Sequence, residues 1–211
     1  IRLFREHEQS ERVSASGSAP RFSVPLARAG DGACGESPEL LAQNTDVTIG
    51  LLGTVLVAVW PGPPSLEALE LLDRQMHGAS ERLGSGLAYL AIVEGSTSTP
   101  TLEARKKITH MLRQHSKHYG VYPHVLLGGF SWIARPIMAG LALLAGIPAP
   151  MPFFGSVERA SSWLVSGYLR ESLLDVQVLV GGTNALRATA ARHSEAQRAG
   201  SARAKAAARS T

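Results

Sequence analysis

The sequence contains few cysteines, few aromatic residues and little charge. Its one cysteine, Cys34, cannot form a disulfide within the chain, which fits a reducing compartment such as the cytoplasm. Charged residues make up 18% of the chain, below the usual quarter, so the surface must rely on Ser, Thr, Gln and Gly. The first residues lack the apolar core of a signal peptide. The most apolar stretch, Ile137 to Ile147, is about half as long as a membrane span. We therefore expect a cytoplasmic protein without a transmembrane segment.

Basic charge is concentrated at one end of the chain. The formal net charge is +4, and residues 181–211 alone carry six Lys or Arg against one acid. In residues 46–180 the two signs balance, which argues against a specific nucleic-acid-binding surface there. The basic end could contact anionic surfaces through charge alone, or it could be a solvated segment without a partner.

The composition divides the chain into three parts. Residues 1–44 are rich in Ser, Gly, Arg and Glu, without periodicity, and we expect a flexible N-terminal tail. Residues 45–170 carry alternating strand and helix patterns, and we expect one α/β domain there. Residues 171–211 are expected to form a linker and an Ala/Arg-rich basic C-terminal tail, which has little to bury. Because Ala and Arg favour helix, residues 185–211 could form either a frayed helix or a disordered segment.

The first half of the predicted domain begins with a hairpin. Alternating apolar residues over Asp46–Leu51 and the β-branched run Thr54–Trp60 predict two strands joined at Gly53. Ser65 is a predicted N-cap for a helix that ends at Gly84. The continuous apolar run Leu87–Val93 predicts a strand buried on both faces.

The second half repeats the strand–helix alternation. A helix is expected from Pro100 to Gly120, with Thr99 as a possible cap and His115 on the apolar face. Further predicted elements are the strand Tyr122–Leu127, a buried helix Ser131–Ala145, the strand Met151–Gly155 and a helix capped by Ser156. The order β-β-α-β-α-β-α-β-α predicts the α/β class: a mixed, mainly parallel sheet of about five strands packed with about four helices.

This element order, with the segments VLVAVWPG, VEGSTSTPTLEAR, VLLGGFSWIARPI and MPFFGSVERASSWL, resembles the STAS domain. That fold occurs in anti-sigma-factor antagonists, in the cytoplasmic tails of sulphate transporters and in STAS/SEC14-like stand-alone bacterial proteins. The resemblance covers roughly residues 45–169. It implies a non-enzymatic signalling or scaffold module that binds a protein partner, such as a regulatory kinase or switch protein, and needs no cofactor.

The resemblance also implies a phosphorylation site. In the antagonists a partner kinase phosphorylates a Ser or Thr at the start of the helix after the third strand. The matching residues here are Ser96, Thr97, Ser98 and Thr99, without the Asp-Ser-small-Gly pattern of that family. A phosphate there would meet the free N–H groups of a helix start. The alternative is that Thr99 caps the helix and the others form an ordinary turn.

Gly128, Gly129 and Ser131 follow the next predicted strand. They could form part of the same docking face or cradle a phosphate, although they fit neither nucleotide-binding fingerprint. A tight turn with Ser131 as a helix cap is the alternative. His115 and His118 could in principle share a metal ion, but no cysteine is near, and a packed histidine at position 115 is favoured. We therefore predict no metal site, no cofactor site and no catalytic residue.

Two other functions remain open from the sequence. The apolar helix Ile137–Ile147 beside Phe153 and Phe154 could line a site for a small molecule or a lipid. A serine-type hydrolase that uses Ser131 and a histidine is a weaker alternative, because Ser131 does not lie in a Gly-x-Ser-x-Gly nucleophile elbow. Glu94, at a strand end, is a lone carboxylate without a partner for paired acid/base catalysis.

Overall fold

The computed structural model describes residues 37–94, 100–127, 151–169 and 174–207, together with positions 136–138, 140, 141, 143, 144 and 146. The described residues contain one sheet whose two faces are covered by helices. The strands are β1 Glu39–Gln43, β2 Thr48–Leu52, β3 Val55–Trp60, β4 Leu87–Glu94, β5 Tyr119–Val121, β6 His124–Leu127 and β7 Phe153–Phe154.

The described residues contain four long helices, and local capping accounts for where three of them begin. Ser65 accepts a hydrogen bond from the Ala68 N–H, and Ser156 accepts one from the Arg159 N–H, as predicted from the sequence. The helices are α1 Leu66–Leu83, α2 Leu102–His115, α3 Val157–Gly167 and α4 Val176–Ala207.

The strand order is β1-β2-β3-β4-β6-β7, with β5 also pairing with β4. Strand β2 runs antiparallel to both of its neighbours, β1 and β3, and β3, β4, β6 and β7 run parallel. The predicted class is therefore confirmed: the sheet is mixed and mainly parallel, and it opens with the predicted hairpin. The described residues form seven strands, where about five were expected.

Side chains alternate strictly between the two faces of the sheet. In β3, Leu56 and Ala58 pack under α1 and α2, whereas Val55, Val57 and Val59 pack under α3 and α4. Burial on both faces explains why the sequence of β3 is a continuous apolar run. Trp60 is a core residue whose Nε1 donates to the Tyr89 hydroxyl over 3.3 Å.

The sheet begins earlier than the sequence indicated. Glu39–Gln43, which we expected in a flexible tail, pairs with β2 through a bulge. An edge strand shows a weak alternation of apolar and polar residues when only part of its surface is buried. The residues of β1 are all exposed or half-buried. Two hydrogen bonds of 2.8 Å from the Arg82 guanidinium to the Glu39 carboxylate tie β1 to α1.

The second helix and the strand after it also differ from the prediction. The N-cap position was expected at Thr99, but it is Thr101, whose hydroxyl accepts from the Ala104 N–H. The helix ends at His115 rather than at Gly120, which lies in β5. A strand was expected over Tyr122–Leu127, and β6 forms its second part, His124–Leu127. The preceding strand β5 also pairs with β4, and Pro123, which has no N–H to donate, lies between β5 and β6.

The largest difference from expectation concerns the C-terminal region. Residues 176–207, assigned from the sequence to a linker and tail, form α4, and Leu179, Leu186 and Ala190 are buried against the sheet. Two glycines allow this close approach. A Cβ on Gly182 would lie 2.5 Å from Leu52 Cδ2, and a Cβ on Gly50 would lie 2.6 Å from Leu186 Cδ2.

The predicted buried helix Ser131–Ala145 is described only in part, since residues 131–135, 139, 142 and 145 lie outside the described residues. The described positions between 136 and 144 are helical. Leu141 is buried as predicted, but Leu143 and Leu144 are 83% and 68% exposed, so this end of the helix was wrongly expected to be buried.

Candidate functional site

The parallel strands place their carboxyl ends at one edge of the sheet. Glu94, the last residue of β4, pairs in register with Leu127, the last residue of β6. Because α1 follows β3 and α2 follows β4, both helices begin at this edge. We call this region, from the ends of β3, β4 and β6 to the first turns of α1 and α2, the carboxyl edge. In open α/β sheets, ligands commonly bind at such an edge.

All seven predicted docking or phospho-acceptor positions fall between elements that end or begin at the carboxyl edge. Ser96, Thr97, Ser98 and Thr99 lie between β4 and α2, and Gly128, Gly129 and Ser131 follow β6. These seven residues are outside the described residues, so their use as a site stays a prediction.

The first turns of α1 and α2 present the same four-residue pattern at the carboxyl edge. Ser65-Leu66-Glu67-Ala68 begins α1, and Thr101-Leu102-Glu103-Ala104 begins α2. In each, the hydroxyl caps the Ala N–H and the Ala is buried, while the Leu and Glu face solvent. Leu66 is 44% exposed and Leu102 is 67% exposed. This pair was not predicted, although a Ser/Thr-Leu-Glu-Ala motif occurs at both positions in the sequence.

Glu94 is an ion-pair partner within the protein. Its Oε1 accepts from Arg187 Nε of α4 over 2.5 Å, and Arg187 also donates to Asn184 Oδ1 over 3.0 Å. Both charged side chains are half-buried. The sequence offered no partner for this carboxylate, because Arg187 is distant in the chain and lay in the expected tail. The pair fastens α4 to the end of β4.

An arginine lies at the start of α2. Arg105 Nε donates to the carbonyl of Pro100, the residue that follows Thr99 in the chain, over 2.9 Å. The guanidinium has five N–H donors, and this bond uses one of them.

His115 is buried between α1 and α2, as the packed-histidine interpretation predicts. It is 2% exposed, and its Nε2 lies 2.8 Å from Asp73 Oδ1. Lys107 Nζ lies 2.5 Å from Asp73 Oδ2. Burial lowers the pKa of His115 more than the neighbouring carboxylate raises it. Burial also raises the pKa of Asp73, but the hydrogen bonds from Lys107 and His115 outweigh it and hold that pKa below its usual value.

The two other histidines of this region do not join His115. His110 is exposed and His118 is half-exposed. Among the described ranges, no three or more His, Cys, Asp or Glu side chains cluster in a way that could hold a metal ion. In the same part of the chain, no helix combines the length and apolar character needed to cross a membrane.

Comparisons with known proteins give one likeness of fold. No protein-family model matches the chain, and no curated protein matches it. A solved structure that is similar is an uncharacterized protein from the DUF3478 family with a SpoIIAA-like fold, from Shewanella loihica PV-4. The two sequences are 15% identical, the match covers 63% of this chain and 99% of that chain, and the TM-score is 0.44. A likeness at this level identifies no partner and no activity.

Proposed function

We propose that this chain is a non-enzymatic signalling or scaffold module that binds a protein partner at the carboxyl edge. The observation that carries this proposal is the pair of exposed leucines, Leu66 and Leu102, at the first positions of two neighbouring helices. Single exposed leucines are ordinary, but two that share one edge provide apolar area for contact. The proposal includes a cytoplasmic location, which the single cysteine supports.

The charge at this edge indicates what the partner should carry. Glu67 and Glu103 are exposed beside the two leucines. Both lie in first turns, where the helix dipole favours an acid. A complementary partner would therefore present apolar side chains together with Lys or Arg.

Site-specific crosslinking tests the docking face. A photo-crosslinking amino acid that replaces Glu70, on the exposed second turn of α1, should capture a partner in the cells that express the full chain. The same amino acid in place of Lys117, beyond the other end of α2, should not capture it. Competition with unlabelled protein should abolish the capture, because specific binding is saturable.

A matched pair of double variants completes the test. Leu66→Ser with Leu102→Ser should fail to compete, whereas Leu40→Ser with Leu83→Ser, which also removes two exposed leucines, should compete like the native chain. Equal competition by both double variants, or identical capture from positions 70 and 117, would contradict docking at the carboxyl edge.

We further propose that phosphorylation within Ser96–Thr99 switches this binding. The guanidinium of Arg105 lies at the start of α2, where a phosphate on the preceding segment could accept a charge-assisted hydrogen bond from it. Phosphoserine encoded at Ser98 should change the capture yield, and Arg105→Gln should reduce that change. A capture yield that does not respond to phosphoserine at any of the four positions would rule out the switch and leave the docking proposal standing.

A further inference from the structure

The helix α4 has two halves with different surroundings. From Leu179 to Ala190 it is buried at intervals against the sheet, and Ala190 is the last buried position among its described side chains. Residues 191–207 continue the same helix by about 25 Å. Residues 195–201 are all exposed. We call residues 191–207 the protruding half of α4.

The composition of the protruding half leaves charge as its main means of binding. It contains no Phe, Tyr or Trp and no aliphatic residue larger than alanine. Its basic residues are Arg192, Arg198, Arg203 and Lys205, and its single acid is Glu195. A segment of this kind cannot fill an apolar groove on a protein, because such grooves take large side chains at helical spacing.

The same composition favours one of three possible anionic ligands: a membrane surface, a single nucleic-acid strand or duplex DNA. An amphipathic helix that lies on a membrane inserts Trp, Phe or Leu below the headgroups, and the protruding half has none. Binding to a single nucleic-acid strand relies on several large aromatic side chains that stack on successive bases, and the protruding half has no Phe, Tyr or Trp. Duplex DNA presents a dense, regular array of phosphates and binds through cations alone.

We propose that the protruding half of α4 binds the phosphate backbone of duplex DNA without regard to base sequence. Its length of about 25 Å spans about seven base pairs at 3.4 Å each. The packed half of α4 and the Glu94–Arg187 pair hold the helix to the sheet, so the basic segment projects from a fixed base. This activity is separate from docking at the carboxyl edge and does not depend on it.

Fluorescence anisotropy with the full chain and a labelled 24-base-pair duplex of arbitrary sequence tests the proposal. If all four cations engage phosphates, the logarithm of the association constant should fall against the logarithm of the NaCl concentration with a slope of about −3.6. Two duplexes of unrelated sequence should give the same constant. A slope near zero, or a strong preference between the duplexes, would overturn the proposal.

Two triple variants with the same net charge distinguish binding through the cations of α4 from a general effect of the protein's net charge. Arg198→Gln, Arg203→Gln and Lys205→Gln should reduce the slope to about −0.9 and weaken binding at least about tenfold at low salt. Arg74→Gln, Lys106→Gln and Lys117→Gln remove three exposed cations elsewhere, lower the net charge of +4 equally and should leave the slope unchanged. Equal losses in both variants would overturn the assignment to α4. Tighter binding to phosphatidylserine vesicles than to DNA, at equal phosphate concentration, would also overturn it.

Discussion

His115 on α2 and Asp73 on α1 are joined by a hydrogen bond of 2.8 Å between Nε2 and Oδ1, and Lys107 holds the other carboxylate oxygen. Because His115 is buried, its ring nitrogen has no ready access to water if the carboxylate is lost. The pair therefore links the two helices whose first turns form the proposed docking face.

Removing the acid should destabilise the protein. We expect Asp73→Ala to lower the free energy of unfolding by about 1–3 kcal/mol, because a buried polar group loses its partner. Arg74→Ala, at the next and exposed position of α1, should change it by less than about 0.5 kcal/mol. Urea denaturation followed by circular dichroism measures both. A cost for Asp73→Ala no larger than that for Arg74→Ala would mean that the pair contributes nothing to stability.

A second buried histidine should make stability depend on pH. Burial lowers the pKa of His124 to about 4, although the Tyr122 carbonyl, 2.7 Å from Nδ1, opposes this shift. In the unfolded chain a histidine titrates near 6.5. Between pH of about 6.5 and 4 the unfolded state therefore binds more protons, so the free energy of unfolding should fall as the pH drops, by roughly 2–3 kcal/mol from this group.

A substitution at His124 distinguishes its contribution to the pH dependence of stability from the contributions of other groups. His124→Asn should flatten the loss of stability between pH of about 6.5 and 4. His115, whose pKa is also lowered, contributes with the same sign and remains in that variant. His110→Asn, at an exposed position, should keep the native profile. Urea titrations at several pH values check this, and an unchanged profile in His124→Asn would refute the assignment.

Two adjacent glycines of α4 offer a matched comparison. A Cβ on Gly181 would meet nothing within 4 Å, whereas a Cβ on Gly182 would meet Leu52. Gly181→Ala should stabilise the protein by about 0.5–1 kcal/mol through helix propensity. Gly182→Ala gains the same propensity but forces Leu52 to move, and we expect it to be less stable than Gly181→Ala by about 1–3 kcal/mol. Thermal unfolding of the two variants decides this. Equal stabilities would show that α4 does not pack closely on β2.

The ion pair between Glu94 and Arg187 should couple α4 to the carboxyl edge. A double-mutant cycle with Glu94→Gln and Arg187→Gln should give an interaction energy of about 0.5–2 kcal/mol, since both groups are half-buried and the contact is short. Asn184→Ala, which removes only the secondary contact of Arg187, should show a smaller coupling to Glu94. Additive single effects would indicate that solvent screens the pair completely.

Features set by neighbouring residues were predictable from the sequence. Ser65 and Ser156 were identified as caps because an N-cap bonds to a backbone N–H three residues away. The hairpin of β2 and β3 and the buried strand β4 were identified because their patterns reflect burial on known faces. The apolar face of α2, including His115, followed from helical spacing in the same way.

The sequence by itself determined the α/β class, the opening hairpin and the helix that places His115 in the core, because these depend on periodicity and contacts within a few residues. The tertiary structure alone decided that Glu39–Gln43 joins the sheet, that α4 covers its second face, and that Arg187 pairs with Glu94. Each of these depends on a partner that is distant in sequence. In α4 the deciding position is Gly182, which suggests a helix breaker in the sequence alone but in the structure leaves room for Leu52 to pack against the helix.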